Sequence, residues 1–104
     1  MILCDFKHLI GKKIVRISEE EYKFNFASSF LNLETYSEKF VLSYNSFETD
    51  KILINPLSLI GIIGQTIKDV FMINKEKEVE LHIITNTENI LTVKNVGKIM
   101  IHIE

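Results

Sequence analysis

Few side chains in this 104-residue sequence belong to types that do chemistry, and they stand apart: three histidines, one cysteine and a run of three glutamates. His82 and His102 lie in Val79-Glu80-Leu81-His82-Ile83 and Ile99-Met100-Ile101-His102-Ile103, where apolar and polar residues alternate. Both imidazoles therefore fall on the polar phase, pointing away from the core of strands that could be neighbours. Two strand imidazoles could begin a zinc site, but zinc takes a third and fourth ligand at characteristic spacings, and the sequence offers none. Ordinary surface histidines are the expectation, with no metal and no cofactor. Cys4 could pair with a distant histidine as a nucleophile. Its neighbours Met1, Ile2 and Leu3 favour a buried, inert thiol instead. No serine carries the glycines of a nucleophile elbow, and Gly61 and Gly64 are too few to cradle phosphate. The chain reads as a protein without a catalytic set, and so not as an enzyme.

The remaining chemistry is charge. Glu19-Glu20-Glu21 is the one acidic cluster, and with Glu48 and Asp50 it forms a candidate negative surface at loop ends. Such a run is ordinarily a solvated hairpin tip. Its functional reading is a surface that meets a basic protein partner, where complementary charge speeds encounter. Phe47, in the polar loop Asn45-Ser46-Phe47, is a candidate interface anchor, and folding back onto the core is its other reading. Residues 1–52 hold seven basic and eight acidic side chains and residues 53–104 five and six, so no positive stripe is available for nucleic acid.

A single cysteine excludes an internal disulfide and points to a reducing compartment. No secretory signal is visible, and the longest apolar run, Leu57 to Ile63, is broken by Ser58 and Gly61. It is far shorter than the roughly 20 residues a spanning helix needs. A cytoplasmic protein with no membrane partner is expected. One proline and a hydrophobic share of 46% fit a folded domain with a core of its own.

The elements that must hold these residues follow from a repeat. Asp5-Phe6-Lys7-His8-Leu9-Ile10-Gly11-Lys12-Lys13-Ile14-Val15-Arg16-Ile17 matches Ser58-Leu59-Ile60-Gly61-Ile62-Ile63-Gly64-Gln65-Thr66-Ile67-Lys68-Asp69-Val70 at a constant offset of 53. Each copy opens on a capping side chain and reaches a glycine suited to positive φ, which predicts a short helical turn feeding a strand. Ile14 and Ile17, like Ile67 and Val70, are three apart, so the strand should carry a bulge. The rival is one longer helix through Gly64, at a cost of about 1 kcal/mol for the glycine.

After the first copy, Ser18 to Glu21 reads as a polar connection. Tyr22 to Phe26 reads as a strand, Ser28-Ser29 as a turn, and Leu31 to Glu34 and Phe40 to Tyr44 as further strands. Ile52 to Ile54 is a brief strand, and Asn55-Pro56 marks a seam. The second half repeats the plan: Phe71 to Ile73 continues its strand, Asn74 to Glu78 connects, and Val79 to Ile83, Ile90 to Val93 and Ile99 to Ile103 are strands. The expected fold is all-β and mainly antiparallel, with one or two short helical turns. Two similar halves, about 1–54 and 55–104, form one domain of six to eight strands as a sandwich or open barrel. The apolar faces Tyr22/Phe24/Phe26/Leu31/Leu33 and Val79/Leu81/Ile83/Leu91/Val93 should meet in one core.

This organisation, with Leu-Ile-Gly-Lys-Lys-Ile and then Pro-Leu-Ser-Leu-Ile-Gly-Ile-Ile-Gly-Gln-Thr-Ile-Lys-Asp-Val each leading into alternating strand pairs, resembles a group of small uncharacterised bacterial β-proteins. Some similar proteins are immunity proteins encoded beside secreted toxins. The chain lacks the tryptophan near the C-terminus associated with that group. The resemblance implies a non-enzymatic protein-binding module, a cytoplasmic immunity protein that neutralises a toxin domain. Two alternatives stand beside it: a small enzyme or metal protein using the His82/His102 face, and a structural module that self-associates, as a homodimer for instance, through exposed sheet edges.

Overall fold

Asp5 sets the first turn. In the computed structural model, which describes residues 2–23, 27–44, 61–95 and 97–104, its carboxylate accepts the Lys7 N–H at 3.1 Å and caps a single 3-10 turn, Phe6–Leu9. Gly61 is helical, and the rest of the described regular secondary structure is strand. In chain order the strands are β1 (Ile2–Leu3), β2 (Arg16–Lys23), β3 (Ala27–Glu34), β4 (Lys39–Tyr44), β5 (Ile67–Asn74), β6 (Val79–Thr85), β7 (Ile90–Asn95) and β8 (Met100–Ile103). All pairings are antiparallel, in a five-stranded sheet ordered β1-β8-β4-β3-β2 and a three-stranded sheet ordered β5-β6-β7.

The segments entering β2 and β5 cross each other and join the sheets. Gly11 and Gly64 sit at φ +87° and +88°, a region that costs other L-residues about 1–2 kcal/mol. Beyond them Lys13 and Thr66 form an antiparallel bridge. Gly11 N–H donates to Ile67 O at 2.8 Å, and Gly64 N–H donates to Ile14 O at 2.7 Å. Ile67 N–H donates to Lys12 O at 2.8 Å, and Ile14 N–H to Gln65 O at 2.9 Å. Adding 53 to one partner of each bond and subtracting 53 from the other yields its counterpart, as a local two-fold axis through the Lys13–Thr66 bridge requires. Burial follows the same offset: Leu9 and Ile62, Ile14 and Ile67, and Ile17 and Val70 are buried, while Ile10 and Ile63 are exposed. The pairing register of β5 shifts between Ile67 and Asp69, so the second copy carries the expected bulge at Lys68. The long-helix alternative through Gly64 is excluded.

One hydrophobic cluster lies between the sheets. Leu31, Leu33, Phe40 and Leu42 from the larger sheet and Leu81, Ile83, Leu91 and Val93 from the smaller one are all essentially inaccessible. Leu31 and Leu33 thus meet Leu81, Ile83, Leu91 and Val93 as expected, and the side chain of Tyr22 lies outside what is described. Phe24 and Phe26 lie outside the described residues, as do the strand expected at 52–54 and the seam at 55–56.

Several sequence expectations are corrected. Ser18 to Glu21 is not a connection: these residues lie inside β2, with Ser18 opposite Asn32 and Glu21 opposite Ser29. Ser28 and Ser29 are not a turn but part of β3, and Lys23 pairs with Ala27. Polarity misled the reading here, because β2 is an edge strand of the described sheet, where Glu19 and Glu20 stay exposed. The last strand does not complete the second half. The Asn95 side-chain amide donates to Lys98 O at 3.1 Å, and β8 then enters the larger sheet between β4 and β1. There Ile101 joins the core and His102 is only 7% exposed, so His102 is not a surface histidine. No described helix is long and apolar enough to cross a membrane.

Candidate functional site

Strand alternation gives the small sheet two different faces. Val70, Met72, Leu81, Ile83, Leu91 and Val93 point to the core. On the opposite face the register builds three rows across β5, β6 and β7: Asp69–Ile84–Ile90, Phe71–His82–Thr92 and Ile73–Glu80–Lys94. No described strand or turn covers this face, and Phe71, Ile73 and Ile90 remain 41%, 39% and 53% exposed.

A connected polar cluster spans the second and third of these rows. The Glu80 carboxylate, with its side chain only 8% exposed, is 2.9 Å from Lys75 Nζ, 3.1 Å from His82 Nε2 and 3.5 Å from Lys94 Nζ. Hydrogen bonds from Lys75 and then His82 outweigh desolvation and hold the Glu80 carboxyl down at about 2, so it is an anion at every ordinary pH. The same contact raises Lys75 above its ordinary value. The His82 ring stacks on Phe71 with centroids 4.9 Å apart and planes 10° from parallel, and its Nδ1 is 3.3 Å from Thr92 Oγ1. His82 is therefore fixed from three sides: a ring beneath it, a carboxylate at one nitrogen and a hydroxyl at the other.

Thr92, His82 and Glu80 line up a hydroxyl, an imidazole and a carboxylate, the order of groups found in acyl-transfer triads. The cluster centres on β6, the middle strand of the small sheet, which pairs with β5 on one side and β7 on the other. What the arrangement does supply is a pre-organised charged cluster beside the exposed apolar side chains Phe71, Ile73 and Ile90.

The structure separates the residues singled out from the sequence. His82 lies in the small sheet and His102 in the large one, so the expected histidine face is not assembled. Among the described residues no three His, Cys, Asp or Glu side chains converge on a metal-sized space. Cys4 is half-buried against the core, and burial, then Glu38 and Asp5, push its thiol up. Glu19, Glu20 and Glu21 run along β2, with Glu19 and Glu20 exposed. Phe47, Glu48 and Asp50 lie outside the described residues. The Glu80 cluster escaped the sequence reading, although its signal is there: pairing the polar phases of Val79–Ile83 and Ile90–Lys94 across the Asn86–Asn89 turn sets His82 beside Thr92.

The described sheet edges are guarded. β1 is two residues long, β5 carries its bulge, and β7 carries Lys94. On β2, Glu19 occupies the core-facing phase opposite Leu31, an inward charge that opposes the addition of another strand. Each is a recognised device against edge pairing, which leaves the small-sheet face as the better contact surface.

No protein-family model, curated protein sequence or solved structure matches this chain.

Proposed function

We propose that the chain is a non-enzymatic protein-binding module that meets its partner with the outer face of the β5-β6-β7 sheet. In its most specific form the proposal is a cytoplasmic immunity protein that covers and neutralises a toxin domain. The observation that supports it is the exposure of Phe71, Ile73 and Ile90 beside a charged cluster whose members already have partners. An interface of this kind gains from burying these apolar side chains and does not strand an ion when water leaves. The carboxylates of β2 add long-range attraction for a basic partner rather than contact energy.

The protein encoded by the neighbouring gene is the first partner to test, by titration calorimetry against the wild type and Phe71→Asp. Binding that weakens at least tenfold in a folded Phe71→Asp variant is the expected result, since central aromatic anchors carry about 2 kcal/mol or more. Equal binding by both proteins would move the contact elsewhere, and no binding by the wild type would remove this partner.

We also infer that residues about 1–54 and 55–104 are two copies of one ancestral unit forming a single domain. The reciprocal hydrogen bonds at the Lys13–Thr66 bridge support this reading.

A further inference from the structure

We propose that the outer face of the small sheet is a dimer interface, covered by the same face of a second copy of this chain. The inference rests on that face being a protein-binding surface and names a second copy as its occupant, in place of the toxin domain of the more specific reading. The argument comes from the corners of the three-row grid. Asp69 and Ile90 end one outer row, and Ile73 and Lys94 end the other. The two charges are therefore diagonally opposite, as are the two isoleucines.

A two-fold axis between two copies, laid along the Ile73–Ile90 diagonal, brings Asp69 of each copy over Lys94 of the other. It also brings each isoleucine onto its own counterpart. The face is thus complementary to itself, which an isologous interface requires and a surface shaped for an unrelated protein does not. The strands of the two sheets then cross steeply, close to the orthogonal class of sheet packing.

Asp69 is exposed and Lys94 keeps 53% of its side chain exposed, so both can reach across. In the outer row between Ile73 and Lys94, Glu80 is already held by Lys75 and His82, and its burial under a second copy leaves no unpaired carboxylate. The guarded edges argue for association face to face and against strand addition.

Sedimentation equilibrium of the full chain tests the proposal. The wild type should dimerise, and Asp69→Lys and Lys94→Asp should each raise the dimer dissociation constant at least tenfold. Mixing those two single variants in equal amounts should restore dimers, because every corner then again meets an opposite charge. The Asp69→Lys/Lys94→Asp double variant should dimerise on its own. Ile90→Lys is a further probe should a charge variant lose its native melt, since it sets like charges against each other on the diagonal and should give monomers. A monomeric wild type at several hundred micromolar, or single variants that dimerise as tightly as wild type, would overturn the inference. If the wild type is monomeric while Phe71→Asp still loses the neighbour-encoded partner, the second copy is excluded and the binding reading survives.

Discussion

The crossing of the two strand-entry segments makes a quantitative claim about Ile14 and Ile67. Both are essentially inaccessible, at 0% and 1%, and they are related by the same offset as the hydrogen bonds around them. Replacing either by alanine removes three carbons, about 2.5 kcal/mol of transfer free energy at roughly 0.8 kcal/mol per carbon. The residual cavity adds to this, and buried Ile→Ala changes generally cost about 2–5 kcal/mol. We therefore expect each variant to lose about 3 kcal/mol, and the two losses to agree within about 1 kcal/mol. Ile10 and Ile63, the exposed pair at the same offset, provide the control, and alanine at either should cost under about 0.5 kcal/mol. Urea titrations followed by circular dichroism read all four, with a common m-value as the check that unfolding stays two-state. A cost of 3 kcal/mol at one buried position and under 1 at the other would refute the equivalence of the two environments.

Two more expectations follow from the same geometry. Glu80 is held near 2 against an ordinary 4.5, so its contribution to stability is complete above about pH 4.5 and is lost as pH falls toward 2. Urea midpoints at pH 5, 3 and 2 should fall more steeply for the wild type than for Glu80→Gln, and parallel lines would contradict the assigned contacts. Gly64→Ala meets no atom within 4 Å of the added carbon, so its cost should be the backbone term alone, about 1–2 kcal/mol at φ +88°. A loss beyond 3 kcal/mol in a thermal melt would mean that the site is not open.

Legibility in the sequence tracked how locally each feature is encoded. The alternation of Val79 to Ile83 and Ile90 to Val93 depends only on which side chains are buried, and those strands lie where the pattern put them. The turn from Asp5 and the bulge after Ile67 were equally readable, because a capping carboxylate and a three-residue apolar spacing act within a few residues. Glu19 to Glu21 defeated the reading because an open edge tolerates charges that a central strand would expel. The placement of β8 beside β4 could not be read either: nothing in Met100 to Ile103 distinguishes adding to one sheet from crossing to the other, since the choice is made by long-range packing. The candidate site was half legible. The polar phases of two strands were visible, but not the Lys75–Glu80–His82 contacts that turn them into a cluster.

The central claim is that the protein works through the outer face of the small sheet, and site-specific photo-crosslinking in growing cells tests it most directly. A benzophenone amino acid replaces Ile73 or Ile90 on that face, and Tyr36, 80% exposed in the β3–β4 connection of the larger sheet, as the control. The account predicts covalent adducts of one discrete mass from both face positions and none from Tyr36, with twice the chain mass marking a second copy. Adducts from Tyr36 alone, or none from either isoleucine, would contradict it.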